Sequence, residues 1–213
     1  MATRAPSRAT GLNARVVLVY ALAFCGGFSI MSLELLGGRI LAPWFGGSIY
    51  VWGSIITVFM LALSLGYLIG GRLSLRAPTL TKFGGILAVA AVILYPTVHL
   101  AEPAMMWVFE RIEDPRYGSL VASLVLFVAP TVVLGAISPY SVRLLVRQRE
   151  ESGKVAGSLY FVSTLGSALG TLATSFYFVL WFEIDTIVTC LAGLLLGLGA
   201  LAVAVGFKTQ APA

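Results

Sequence analysis

Charge is scarce in this sequence: Asp, Glu, Lys and Arg make up 11% of its 213 residues, against 59% hydrophobic ones. A soluble domain of this length needs a charged surface, and 14 basic plus 9 acidic residues cannot cover one. Lipid must cover it instead, which makes the chain a polytopic, all-α membrane protein. Histidine is almost missing as well. The single His99 has no second histidine with which to hold a metal or relay a proton, and it reads as an interfacial side chain. Cysteine is limited to Cys25 and Cys190, which fall in different apolar runs at different depths, so neither a disulfide nor a thiolate metal site is expected. The net charge of +5 does not point to nucleic acid, because the basic residues sit in short loops, where they bear on membrane orientation.

What is present is a series of apolar runs of about 20 residues, the length that carries a helix across roughly 30 Å of hydrocarbon. Six are legible: Val16 to Leu41, Ile49 to Ile69, Phe83 to Leu100, Tyr117 to Ile137, Val155 to Phe182 and Ile187 to Phe207. The expected organisation is an N-terminal tail (1–15), a six-helix transmembrane domain (16–207) and a C-terminal tail (208–213). Eleven basic residues fall on one side: Arg4, Arg8, Arg15, Arg72, Arg76, Lys82, Arg143, Arg147, Arg149, Lys154 and Lys208. The loop of Arg111 and Arg116 faces the other way and carries Glu102, Glu110, Glu113 and Asp114. Lysine and arginine concentrate in cytoplasmic loops, so both termini are expected inside, with the chain in the cell's inner membrane. Phe24 before Cys25 is wrong for a lipoprotein cleavage site, and the apolar run continues past it, so the first helix is expected to be uncleaved.

An internal repeat is suggested by "GSIYVW" (Gly47 to Trp52) and "GSLYFV" (Gly157 to Val162), each preceded by a Gly-containing segment with an arginine, Arg39 or Arg143. The chain would then divide into two three-helix units, about 15–100 and 115–207. Because three is odd, the second would sit inverted relative to the first, as in half of a major-facilitator-like fold. Small residues at four-residue spacing are candidates for close helix approach, within the bundle or between protomers: Gly66 with Gly70, Gly166 with Gly170, and Gly193 with Gly197. Pro130 is expected to kink the fourth span, and Pro139 to mark its end or a second bend.

Glu34 and Arg39 are the charged residues inside the first apolar run. At about 1.5 Å per residue from Val16, Glu34 lies about 27 Å and Arg39 about 35 Å along the helix, near the outer boundary of the hydrocarbon. One reading is structural, with an ion pair at the helix end, flexed by Gly37 and Gly38, or a bond from the carboxylate to a neighbouring helix. The other is a cation-attracting mouth flanked by Trp44, Tyr50 and Trp52, with Tyr160 in the matching motif of the fifth span, where aromatic faces would contact an amine. Two further segments are legible. "AEPAMMWVFERIED" reads as a short amphipathic helix on the outer surface, with Met105, Met106, Val108 and Phe109 as its buried side, or as a lid. The Arg143, Arg147, Arg149 and Lys154 patch is chiefly an orientation signal that could also dock anionic lipid or an acidic partner.

"ELLGGRILAPWFGGSIYVWGSIITVFMLALSLGYLIGGRL" (Glu34 to Leu73), "GAISPYSVRLL" (Gly135 to Leu145) and "GSLYFVSTLGSALGTLATSF" (Gly157 to Phe176) together resemble the membrane domain of the fused major-facilitator-like/spermidine synthase family. The resemblance covers about residues 20–180. It implies that Glu34, Arg39, Arg72 and Arg143 occupy characteristic polar positions of that domain, for structure or ligand contact. Family members typically continue into an aminopropyltransferase-like domain of Rossmann-type methyltransferase architecture. No Gly-rich turn or acidic pair of that kind occurs here, so no catalytic residue, cofactor or enzymatic activity is expected.

Three functions fit these expectations. The chain could be a non-catalytic module that anchors or accompanies a separate spermidine synthase-like enzyme. It could be a small-solute carrier, for polyamines or other cations, working as a homodimer. It could also be a structural subunit among other membrane subunits.

Overall fold

The computed structural model describes residues 8–146 and 148–210, and every regular element among them is helical. Arg4 and Arg147, counted for orientation, lie outside the described residues. The elements are α1 (Arg8–Phe45), α2 (Ile49–Ser74), α3 (Leu80–His99), α4 (Ala101–Phe109), α5 (Pro115–Gly135), α6 (Ile137–Leu145), α7 (Ser152–Ala173), α8 (Val179–Trp181) and α9 (Ile184–Gln210). A 3₁₀ turn (Arg149–Glu151) precedes α7, and a π turn (Thr174–Phe178) joins α7 to α8.

Local chemistry accounts for the breaks. Gly46 takes a positive φ of 78° after α1, a conformation that costs glycine nothing. The Thr79 hydroxyl accepts the Lys82 backbone N–H (3.2 Å) at the start of α3, and Asp114 accepts the Arg116 N–H (2.8 Å) ahead of Pro115 at the start of α5.

Six segments are long and apolar enough to cross a membrane: Ala14–Phe45, Ile49–Ser74, Leu80–His99, Pro115–Leu145, Arg149–Trp181 and Ile184–Lys208. The chain is a multi-pass helix bundle, as the apolar runs predict. All six run longer than the apolar stretches that predict them, the fourth most of all. Helix α1 runs unbroken through Gly37 and Gly38, because packed neighbours rather than intrinsic propensity hold the glycines helical. Pro130 does not end α5. The helical assignment is interrupted at Ala136, between α5 and α6, and Pro139 lies inside α6.

The helices pack chiefly as three pairs: α1 with α7, α2 with α5 and α3 with α9. Small residues let the backbones touch, which matters in lipid because no hydrophobic drive pulls helices together there. A Cβ on Gly166 would strike the Phe24 carbonyl, one on Gly170 the Phe28 carbonyl, and one on Gly27 the Ser163 carbonyl. In the second pair, a Cβ on Gly66 would strike the Val132 carbonyl, one on Gly70 the Ala136 backbone, and one on Gly135 the Leu63 carbonyl. Numbers rise together along both partners, so each of these pairs is parallel. The α3–α9 pair is antiparallel, since Gly84 meets Gly199 while Thr81 meets Gly206. Gly193 and Gly197, expected at a helix contact, have nothing within reach of an added Cβ. The close approach of α9 is made by Gly199 and Gly206, on another side of that helix.

The loops sort the described charges to opposite ends. Arg72, Arg76, Lys82, Arg143, Arg149 and Lys154 cluster around the α2–α3 and α6–α7 connections, here called the basic end. Helix α4, Tyr50 and Arg116 lie at the other end, where Arg116 stacks on the Tyr50 ring at 4.6 Å. Met105 and Val108 of α4 are buried within the bundle, where α4 packs against α5, whereas Met106 and Phe109 point off its surface.

Candidate functional site

Six hydroxyl-bearing side chains of the spans, Tyr67, Ser138, Tyr160, Ser163, Thr164 and Ser167, line a cleft of about 470 Å³ bounded by α1, α2, α6 and α7. Its back wall is Gly27, Ile30 and Met31 of α1, and Leu63 and Tyr67 of α2 form one side. Ser138 and Pro139 of α6 form the floor toward the basic end, and Tyr160, Ser163, Thr164 and Ser167 of α7 form the other side. The α7 residues recur at helical spacing, which lines their hydroxyls along one face. Tyr67 and Tyr160 flank the open front, about half exposed.

The α1–α7 and α2–α5 contacts make the cleft. Each pair is locked by glycine against backbone, and α2 and α7 are not themselves packed together, so a gap is left between the pairs. Ser167 Oγ donates to the Gly27 carbonyl at 3.2 Å and holds α7 to the back wall. Deeper between the same helices, Thr174 Oγ1 donates to Ser32 Oγ (2.9 Å), which donates to the Gly170 carbonyl (3.4 Å). The π turn begins at this bond.

The hydroxyls of Tyr67, Ser138, Tyr160, Ser163 and Thr164 have no hydrogen-bond partner among the described residues. Neither has Glu34, half-buried on the same face of α1, one turn beyond Ile30 and Met31. Polar groups left unpaired at membrane depth are costly unless water or a ligand meets them. A volume of this size with convergent hydroxyls and aromatic rings is what a small-molecule site requires.

One turn beyond Glu34 on α1, the Trp52 ring of α2 packs on Gly38. The sequence-predicted pair of Glu34 and Arg39 does not form. A five-residue separation turns the two side chains about 140° apart on an unbroken helix, and Arg39 faces a different recess with His99, Glu102 and Asp185. Among the described residues the one ion pair is Arg111 with Glu110, at 4.0 Å.

The predicted aromatic mouth is likewise dispersed. Trp44 packs edge-on against Phe109 (5.8 Å), Tyr50 lies beneath Arg116, Trp52 covers Gly38, and Tyr160 sits in the cleft toward the basic end. Arg72 and Arg143 are exposed at the basic end, away from the cleft lining. His99 stacks edge-on with Tyr95 (5.1 Å), and among the described residues no cluster of His, Cys, Asp and Glu could hold a metal.

No family model, curated protein or solved structure matches the chain.

Proposed function

We propose that this chain is a non-catalytic membrane module that binds a small hydrogen-bonding solute in the α1/α2/α6/α7 cleft and passes it across the bilayer. The observation that carries the reading is the set of hydroxyls on Tyr67, Ser138, Tyr160, Ser163 and Thr164, none with a hydrogen-bond partner among the described residues, with the unpaired Glu34 one helical turn beyond the cleft wall on α1. Hydroxyl oxygens and a carboxylate accept N–H donors, and tyrosine faces attract cations, so an organic amine is the chemical class that fits. A polyamine is the member that the family resemblance implies. Trp52 on Gly38 closes the cleft at one end, so access runs from the basic end, taken as cytoplasmic by its lysines and arginines in an inner membrane.

Two features support a carrier built from inverted halves. Exchanging the first three spans for the last three turns the α1–α7 pair into the α5–α2 pair and returns α3–α9 to itself. At residue level, Phe24–Gly166, Gly27–Ser163 and Phe28–Gly170 correspond to Val132–Gly66, Gly135–Leu63 and Ala136–Gly70, at one constant offset on each helix. This register matches Tyr160 with Met60, ten residues away from the pairing with Tyr50 that the "GSIYVW" and "GSLYFV" motifs suggest. The open front between α2 and α7 is where a second copy would complete the cavity, giving a homodimer of six-helix halves.

Spermidine and putrescine uptake into proteoliposomes tests the reading, with Glu34→Gln as the isosteric variant. Uptake that is saturable and lost in Glu34→Gln supports it; absence of uptake by the wild-type chain, or full uptake by the variant, sinks it.

A companion role beside a separate aminopropyltransferase-like enzyme is favoured by one observation. Arg72, Arg143, Arg149 and Lys154 are exposed at the basic end and pair with no carboxylate among the described residues. Co-purification of such an enzyme from native membranes in fixed proportion, released by raising salt, would establish it.

A further inference from the structure

A second recess, about 530 Å³, lies on the outside of the bundle at the basic end, between α2, α3 and the α5–α6 junction. Its walls are apolar: Ile69 and Leu73 of α2, Ile86 and Val89 of α3, and Val133 of α5. The α3 wall from Lys82 to Val89 rises about 10 Å from the loop into the spanning region. Gly85 is the reason the recess is open, since it presents no side chain and an added Cβ there would meet nothing within 4 Å. The floor is rigid. Tyr140 stacks on Phe83 (5.4 Å), and its hydroxyl takes the Thr79 N–H at 3.2 Å, fastening α6 to the start of α3.

Arg76 and Lys82 stand at the mouth. Lys82 Nζ donates to the carbonyls of Arg76 (2.8 Å) and Ala77 (3.1 Å), which fixes the ammonium at the rim and leaves one of its three protons free. Arg76 makes no side-chain hydrogen bond or ion pair among the described residues, so its guanidinium is free to receive an anion. The α2–α3 loop, "RAPT" and its neighbours, holds no acidic residue. Two cations held at headgroup level above a dry slot of about 10 Å match one kind of occupant, an amphiphile with a negative head and a hydrocarbon tail.

We infer that the α2/α3/α5 recess is a binding site for an anionic phospholipid, with one acyl chain along Ile69, Leu73, Ile86 and Val89 and the phosphate between Arg76 and Lys82. This site is separate from the solute cleft and does not depend on it. Its consequence is mechanical. A lipid seated there bridges α2 to α3 and braces the side of α2 facing away from Tyr67.

The test is a native mass-spectrometric titration of the purified full chain with dioleoyl phosphatidylglycerol, and in parallel with dioleoyl phosphatidylcholine. One phosphatidylglycerol should be retained more tightly than any phosphatidylcholine. Arg76→Gln should weaken it about fivefold, and Arg76→Gln with Lys82→Gln about twenty-five-fold, the loss expected for one and two cations near a headgroup. Gly85→Leu starts from a position where an added Cβ meets nothing within 4 Å and fills the slot without removing a charge; it should weaken retention about tenfold, as for roughly two methylenes kept from burial. Gly71→Leu, which also enters open space on the same stretch of α2, should change nothing. Equal retention of the two lipids overturns the inference. So does a charge effect without a Gly85→Leu effect, because the lipid would then be held by the surface charge alone.

Discussion

The indole of Trp52 lies on Gly38 so closely that a Cβ at position 38 would stand 2.6 Å from the ring's Cη2. The contact joins α1 to α2 one turn beyond Glu34, where it would close the cleft toward the end opposite the basic one. The obstructing atom is the tip of a side chain, so Gly38→Ala should displace the ring and leave the helices in place, costing about 1 kcal/mol. A cysteine introduced by Glu34→Cys, with Cys25→Ser and Cys190→Ser, should then react several-fold faster with a charged thiol reagent added from that side. An unchanged rate would make Trp52 a packing residue and not a closure.

Glycines that meet backbone should behave differently from glycines that meet nothing. Gly27→Ala, Gly66→Ala and Gly166→Ala each drive a methyl group into a carbonyl oxygen of the partner helix. Each should cost about 2 kcal/mol or more, since backbones cannot yield as a rotamer can. Gly85→Ala and Gly157→Ala enter open space and should be neutral or gain about 0.5 kcal/mol. Thermal unfolding in one detergent separates the groups. A similar loss at Gly85 would contradict the packing described.

How much of this was legible in the sequence depends on what carried each expectation. The six spans were, because apolar length alone decides them. The contacts at Gly66, Gly70, Gly166 and Gly170 were too, since small residues at helical spacing leave a backbone uncovered. The same spacing at Gly193 and Gly197 meets nothing within the chain, because spacing identifies a face without saying whether the bundle or a second copy faces it. Glu34 was found by its charge, but its partners were not, since a five-residue separation needs the helix trajectory to show that Arg39 points elsewhere. The aromatic mouth failed because proximity in sequence at a turn, Trp44 to Trp52, spans residues that diverge onto two helices. The hydroxyls at 160, 163, 164 and 167 were available as a stripe on one helical face. They went unread because serine and threonine are common in membrane helices, and only the gap between α2 and α7 gives them a shared volume.

Ala77 offers a test of the loop that holds Lys82. It takes a positive φ of 47°, a region where a side chain other than glycine costs about 1 kcal/mol. The carbonyls of Arg76 and Ala77 are turned to the Lys82 ammonium by that conformation. Ala77→Gly should therefore stabilise the chain by about 0.5 kcal/mol, the relief of strain less glycine's own entropy cost. Ala77→Val should destabilise it. Unfolding temperatures in the opposite order would mean that the loop does not hold this conformation.

The buried hydroxyl chain between α1 and α7 predicts a coupling. Thr174 bonds to Ser32, and Ser32 to the Gly170 carbonyl, at the start of the π turn. A double-mutant cycle of Ser32→Ala and Thr174→Val should give an interaction of about 0.6 kcal/mol, the size usual for hydrogen bonds between membrane helices. Additive effects would show that the two hydroxyls are satisfied independently.

One substitution made at four tyrosines distinguishes structure from ligand binding. Tyr20 shares a hydrogen bond of 2.6 Å with Ser158, and Tyr140 accepts the Thr79 N–H at 3.2 Å, so each hydroxyl ties two helices together. Tyr20→Phe and Tyr140→Phe should each lower stability by about 1 kcal/mol. The hydroxyls of Tyr67 and Tyr160 reach into the cleft with no partner among the described residues, so Tyr67→Phe and Tyr160→Phe remove nothing that the fold relies on. Stability should be unchanged in both, and saturable amine uptake should weaken, because the ring stays while an acceptor for the ligand's N–H is lost. If Tyr67→Phe and Tyr160→Phe instead destabilise as much as Tyr140→Phe and leave uptake intact, the cleft hydroxyls are structural and the solute belongs elsewhere.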